Sequence, residues 1–146
     1  MALIKIEPRP AVSEFCLPIR VYYEDTDAAG IVYHANYLKY MERARTEWLR
    51  ALGFEQDQLA RHHGIAFVVC DATLKFIRPA KFNDQLESIC RLAHCGRASV
   101  EFEQLVVGLD KTVLCRGLIR MGCVDLRAMI PKAIPEDIYL GIKHAR

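Results

Sequence analysis

The chain has 146 residues, enough for one domain over 1–146 whose folding removes about 70% of the unfolded surface from water. A composition of 52% hydrophobic and 26% charged residues excludes a disordered chain. Twenty basic against 18 acidic residues leave a net charge of +2, too little for a general nucleic-acid binder.

Residues 1–14 carry two prolines and mixed charge and read as a loose lead-in without the apolar run of a signal peptide. No apolar run approaches the roughly 20 residues of a membrane span, so a cytoplasmic protein is expected. Phe15 to Tyr23 alternates, with Leu17, Ile19, Val21 and Tyr23 on one face, and reads as a strand. Pro18 marks that strand as an edge or a strand start. Glu24 to about Val32 is a loop with three acids in four positions (Glu24, Asp25, Asp27) and a turn glycine, Gly30.

A helix is expected from about His34 to Leu52, because Tyr37, Tyr40, Met41, Ala44, Trp48 and Leu52 recur at spacings of three and four. Gly53 stops it. The acidic loop therefore aims carboxylates at a helix start, where backbone N–H groups lack partners. Such a carboxylate can attack a carbonyl, or aim water at it, while the N–H groups hold the oxyanion. It can also simply cap the helix. Spacing leaves both readings open.

A short helix over Gln56–His63 ends at Gly64. Strands are expected over Ile65–Ile77, Gln85–Cys95, Ala98–Val107 and Thr112–Val124, joined largely by short turns at Gly96-Arg97 and Gly108–Lys111. In the third of these, Val100, Phe102 and Gln104 oppose Ser99, Glu101 and Glu103. Residues 131–146 form a C-terminal extension with a short helix between Pro135 and Lys143. The pattern is α+β, with one long helix covering an antiparallel sheet.

Six cysteines (Cys16, Cys70, Cys90, Cys95, Cys115, Cys123) form no C-x-x-C and read as buried free thiols. The histidines, His34, His62, His63, His94 and His144, make no metal-ligand pattern. Between Lys75 and Arg97, five basic residues (Lys75, Arg78, Lys81, Arg91, Arg97) face two acids. Most read as a solvated sheet edge, although a phosphate-bearing ligand needs only one or two of them.

The run D-T-D-A-A-G-I-V-Y-H-A-N-Y, residues 25–37, resembles the signature of the 4-hydroxybenzoyl-CoA thioesterase family of hotdog-fold enzymes. The longer run from Val21 to Arg50 is similar to the YbgC-like branch, bacterial acyl-CoA thioesterases encoded beside the Tol–Pal envelope genes. The resemblance covers roughly Phe15 to Pro135. It implies a curved five-stranded antiparallel sheet wrapped around one central helix. It implies hydrolysis of acyl-CoA to a free acid and CoA, with no metal and no cofactor.

Residue by residue, the resemblance makes Asp27 the catalytic carboxylate, as nucleophile or general base. Gly30 lets the ligand approach the backbone. His34 supplies an oxyanion-binding backbone N–H, and its side chain is either a helper or without a role. Tyr33, Val68 and Val69 are expected to line the acyl pocket, and Arg97 and Ser99 to face the nucleotide of CoA. Active sites shared between protomers of a dimer or tetramer are also implied, and acyl carrier protein thioesters are an alternative substrate. The competing reading is a non-catalytic acyl-binding or interaction protein linked to the Tol–Pal system or to lipid synthesis. Asp27 together with Gly30 favours the enzyme.

Overall fold

The computed structural model describes residues 14–145. Strand β1 (Glu14–Arg20) leads through a 3-10 turn (Tyr23–Asp25) to the long helix α1 (Asn36–Ala51) and the short helix α2 (Gln56–His63). Strands β2 (Ile65–Phe76), β3 (Gln85–Cys95), β4 (Ser99–Gly108) and β5 (Val113–Asp125) follow, then helix α3 (Glu136–Lys143). The sheet is antiparallel in the order β1-β3-β4-β5-β2. This is the hotdog arrangement the resemblance implies. Pro18 lies on an edge strand, where its missing N–H breaks no ladder.

Helix α1 buries the expected stripe, Tyr37, Tyr40, Met41, Ala44 and Trp48. It sits close on the sheet. A Cβ at Gly117 would lie 2.9 Å from the Met41 sulfur, so a side chain on β5 there would make the Met41 thioether shift. Polar ties fix the helix against β3 and β4. Arg45, 9% exposed, donates from Nη1 to Gln104 Oε1 at 2.9 Å. Gln104 Nε2 donates to the Met41 carbonyl at 2.9 Å, and Ser88 Oγ to the Tyr40 carbonyl at 2.9 Å. Burying these groups unpaired would be costly, and the bonds offset that cost.

The core has two main parts. One surrounds Tyr37, Tyr40 and Met41 beside the acidic loop. The other surrounds Trp48 and includes Ile134, Ile138 and Ile142. The C-terminal segment is therefore part of the core, and its expected helix is present as α3.

Some expectations need correction. The lead-in over residues 1–14 lies outside the described residues except for Glu14, which opens β1. Tyr23 does not continue the inward face of the strand. It is 77% exposed and stacks on Phe82, because the chain turns before reaching it. Cys90, Cys95, Cys115 and Cys123 are buried, but Cys16 and Cys70 are exposed. Cys16 lies on the outward register of the β1 edge, and Cys70 sits at the break in register between Val69 and Asp71. Burial pushes the Cys90 thiol up to about 12, which keeps it protonated and unreactive.

Candidate active site

The acidic loop is built from short-range bonds. Asp25 Oδ2 accepts the Tyr22 N–H at 2.8 Å and closes the 3-10 turn. The chain then reverses: Asp27 N–H donates to the Ile31 carbonyl and Gly30 N–H to the Asp27 carbonyl, each at 2.9 Å. Thr26 pairs with Val32 across this reversal. Gly30 has φ +81° with open space where a Cβ would go, so the conformation rather than room demands glycine. Asp27 Oδ1 accepts the Ala29 N–H at 2.9 Å. Oδ2 has no partner among the described residues, and the residue is exposed.

The loop is anchored on two sides. Val32 N–H donates to the Ala80 carbonyl at 2.8 Å, and Ile31 bridges Lys81. The Asp25 carbonyl accepts both the Tyr33 N–H, at 2.9 Å, and Asn36 Nδ2, at 2.8 Å. Asn36 and Tyr37 N–H groups donate back to the carbonyls of Tyr33 and His34. Between them, the N–H groups of His34 and Ala35 meet no acceptor among the described residues. These unused donors stand at the helix start, where the helix dipole adds positive potential.

Around them lie aromatic rings. The His34 ring centroid is 4.5 Å from Tyr33 and 6.0 Å, edge-on, from Phe76 at the end of β2. Phe76 also approaches Tyr37, at 5.7 Å. Sequence reasoning did not single out Phe76. Its signal was available, as the last aromatic residue of an apolar strand.

A cavity of about 170 Å³ lies between one flank of α1 and the β2 edge, lined by Arg45, Leu49, Phe67, Val69, Phe102 and Met121 among others. Arg45 is nine residues beyond Asn36, about 13 Å along the helix axis, so this cavity is not at the Asp27 turn. Val69 lines it. Val68 pairs with Gly122 in the alternate register and points to the opposite face.

The remaining expected residues are elsewhere. Arg97 and Ser99 flank the turn between β3 and β4. The Asp27 loop instead meets Ala80 and Lys81, just before β3, so the length of that eleven-residue strand, about 30 Å, lies between them. One protomer therefore does not bring Arg97 or Ser99 to Asp27. Arg97 Nη1 pairs with Glu136 at 3.1 Å, and its guanidinium stands 4.4 Å over the Tyr139 ring. Arg78 and Lys81, near the loop, are exposed and make no ion pair among the described residues. Among the described residues no group of three or more His, Cys, Asp or Glu could hold a metal ion, and no helix is long and apolar enough to cross a membrane.

The model of the "Thioesterase-like superfamily" matches residues 21–141. The chain is 39% identical over 132 residues to the acyl-CoA thioesterase YbgC of Haemophilus influenzae, covering 90% of this chain and 96% of the relative. It is 41% identical over 129 residues to the acyl-CoA thioester hydrolase YbgC of Escherichia coli O6:H1, covering 88% and 96%. A crystal structure of a probable thioesterase from Bartonella henselae superposes with a TM-score of 0.80 at 31% identity, over 84% of this chain and 99% of that one. Fold and matches together define a thioester hydrolase. The chain belongs to the thioesterase-like superfamily, in its YbgC branch.

Proposed function

We propose that this enzyme hydrolyses acyl-CoA thioesters, with Asp27 as the reacting carboxylate and the N–H groups of His34 and Ala35 as oxyanion donors. The observation that carries this reading is the pair of unused N–H groups on the segment against which the Asp27 turn folds. In one route, Asp27 Oδ2 attacks the thioester carbon. The C–S bond breaks, CoA leaves as its thiolate, and water opens the resulting anhydride. In the other, Asp27 takes a proton from the water that attacks. In both, negative charge gathers on the carbonyl oxygen, and one aimed donor is worth about 3 kcal/mol there. The test is thiol release from CoA esters of graded acyl length, with the same acyl groups on acyl carrier protein. An enzyme inactive on the whole panel refutes the reading.

The acyl chain is assigned a path from the Asp27 turn, beside Tyr33, along α1 to the cavity lined by Val69 about 13 Å away, completed by a second protomer. Strand β2 is an edge with unpaired backbone groups and exposed apolar side chains, Val69 among them at 52%. Such an edge favours pairing with another strand. Sedimentation is expected to give a dimer or larger. A fully active monomer contradicts the shared site.

Arg97 and Ser99 are assigned to the CoA nucleotide bound at the second protomer's Asp27, since their own Asp27 is too distant. Arginine suits phosphate because its fork is planar and permanently charged. Arg97→Ala is expected to raise KM for acyl-CoA about tenfold, on the order of 1.4 kcal/mol, with kcat nearly unchanged. The same variant should handle an acyl-pantetheine normally. Equal damage to both substrates would make Arg97 a purely structural partner of Glu136 and Tyr139, and would move the phosphate site to Arg78 and Lys81.

A further inference from the structure

The polar ties between the Asp27 loop and α1 leave from one stretch of the helix. Asn36, 7% exposed, donates to the Asp25 carbonyl. The Tyr37 hydroxyl accepts the Ala80 N–H at 3.2 Å, and the Ala80 carbonyl in turn holds Val32. Tyr40 is 1% exposed, and its hydroxyl is a buried polar atom with no hydrogen-bond partner among the described residues. The Asp25 carboxylate, which already accepts the Tyr22 N–H, is the charge that acts most on that hydroxyl. Burial first, and then the Asp25 charge, raise the phenol far above its ordinary range. The group therefore stays protonated and remains a donor.

An unsatisfied buried hydroxyl destabilises a fold. Phenylalanine would fill the same space without it. Asp27 meanwhile bonds only within its own turn among the described residues, so it inherits its place from Asp25 and Thr26.

We infer that Asn36 and Tyr40 are positioning residues: one holds the Asp25 carbonyl and the other couples to its carboxylate charge, and together they set how the Asp27 carboxylate stands relative to the N–H groups of His34 and Ala35. The inference rests on reading those groups as the reacting ones. Neither residue touches the scissile bond. Their effect is on alignment, where a displacement of about 1 Å can cost a hundredfold in rate.

The test compares wild type, Asp27→Asn, Tyr40→Phe and Asn36→Asp on one acyl-CoA, reading kcat, KM and the melting midpoint. Tyr40→Phe is expected to lower kcat about tenfold or more, leave KM within about twofold, and keep or raise the midpoint. That split separates alignment from general loss of structure. Asn36→Asp keeps the shape, loses the donor and should also lower kcat. Tyr40→Phe with wild-type kcat overturns the inference, and so does a kcat that falls only along with the midpoint. An inactive wild type defeats the thioesterase reading itself, and this inference with it. An active wild type, silenced by Asp27→Asn but indifferent to Tyr40→Phe, defeats this inference alone.

Discussion

Asp27→Asn is expected to lower kcat by about three orders of magnitude while fold and assembly stay intact. The amide has nearly the shape of the carboxylate. Its oxygen can still accept the Ala29 N–H, so the turn should close as before. What disappears is the second oxygen's charge, and with it both nucleophile and base. Thiol release measures the loss, and circular dichroism with sedimentation checks the rest. A variant that keeps a tenth or more of wild-type turnover would remove Asp27 from the mechanism. Asp25→Asn is the matched control. It weakens the bond to the Tyr22 N–H and should act through loop order and stability.

Gln104→Leu should produce the largest loss of stability among single polar changes described above, about 3 kcal/mol. Leucine fills a similar volume, so little packing changes. Arg45, however, loses the acceptor for its Nη1, and the Met41 carbonyl loses its side-chain donor. Burial already works against the Arg45 charge, and its pKa is lowered chiefly for that reason. Urea unfolding should show a lower midpoint at unchanged slope. Pairing Gln104→Leu with Arg45→Met should recover part of the loss, because two apolar groups leave no stranded charge. A loss below about 1 kcal/mol for Gln104→Leu would show that the Arg45 bond contributes little.

These two residues also mark what sequence could and could not reveal. The alternation of β4 places Gln104 inward, and that is legible in the sequence. Its partner is 59 positions away on a helix, and no local pattern announces such a pairing. Helices α1 and α2 were legible because their stripes end at glycines with φ of +98° and +64°, conformations that favour glycine. Tyr23 was misplaced because alternation runs on in the sequence past Arg20. The Asp25 cap, a side-chain contact, ends the strand first. At the site, Asp27, Gly30 and His34 stood out through a contiguous motif. The ring contact of His34 with Phe76 and the pairing of Arg97 with Glu136 depend on the tertiary path of the chain.

The docking of α3 beside Trp48 has a consequence for synthesis of the chain. Trp48 leaves the ribosome well before Ile134, Ile138 and Ile142, which share its core cluster. Strand β2 likewise waits for β5, its neighbour in the sheet. Until residues 113–142 emerge, the nascent protein carries an open β2 strand and a helix stripe whose Trp48 end is only partly covered, by β3 and β4. That interval is when it is most exposed to aggregation and when a ribosome-bound chaperone would matter most.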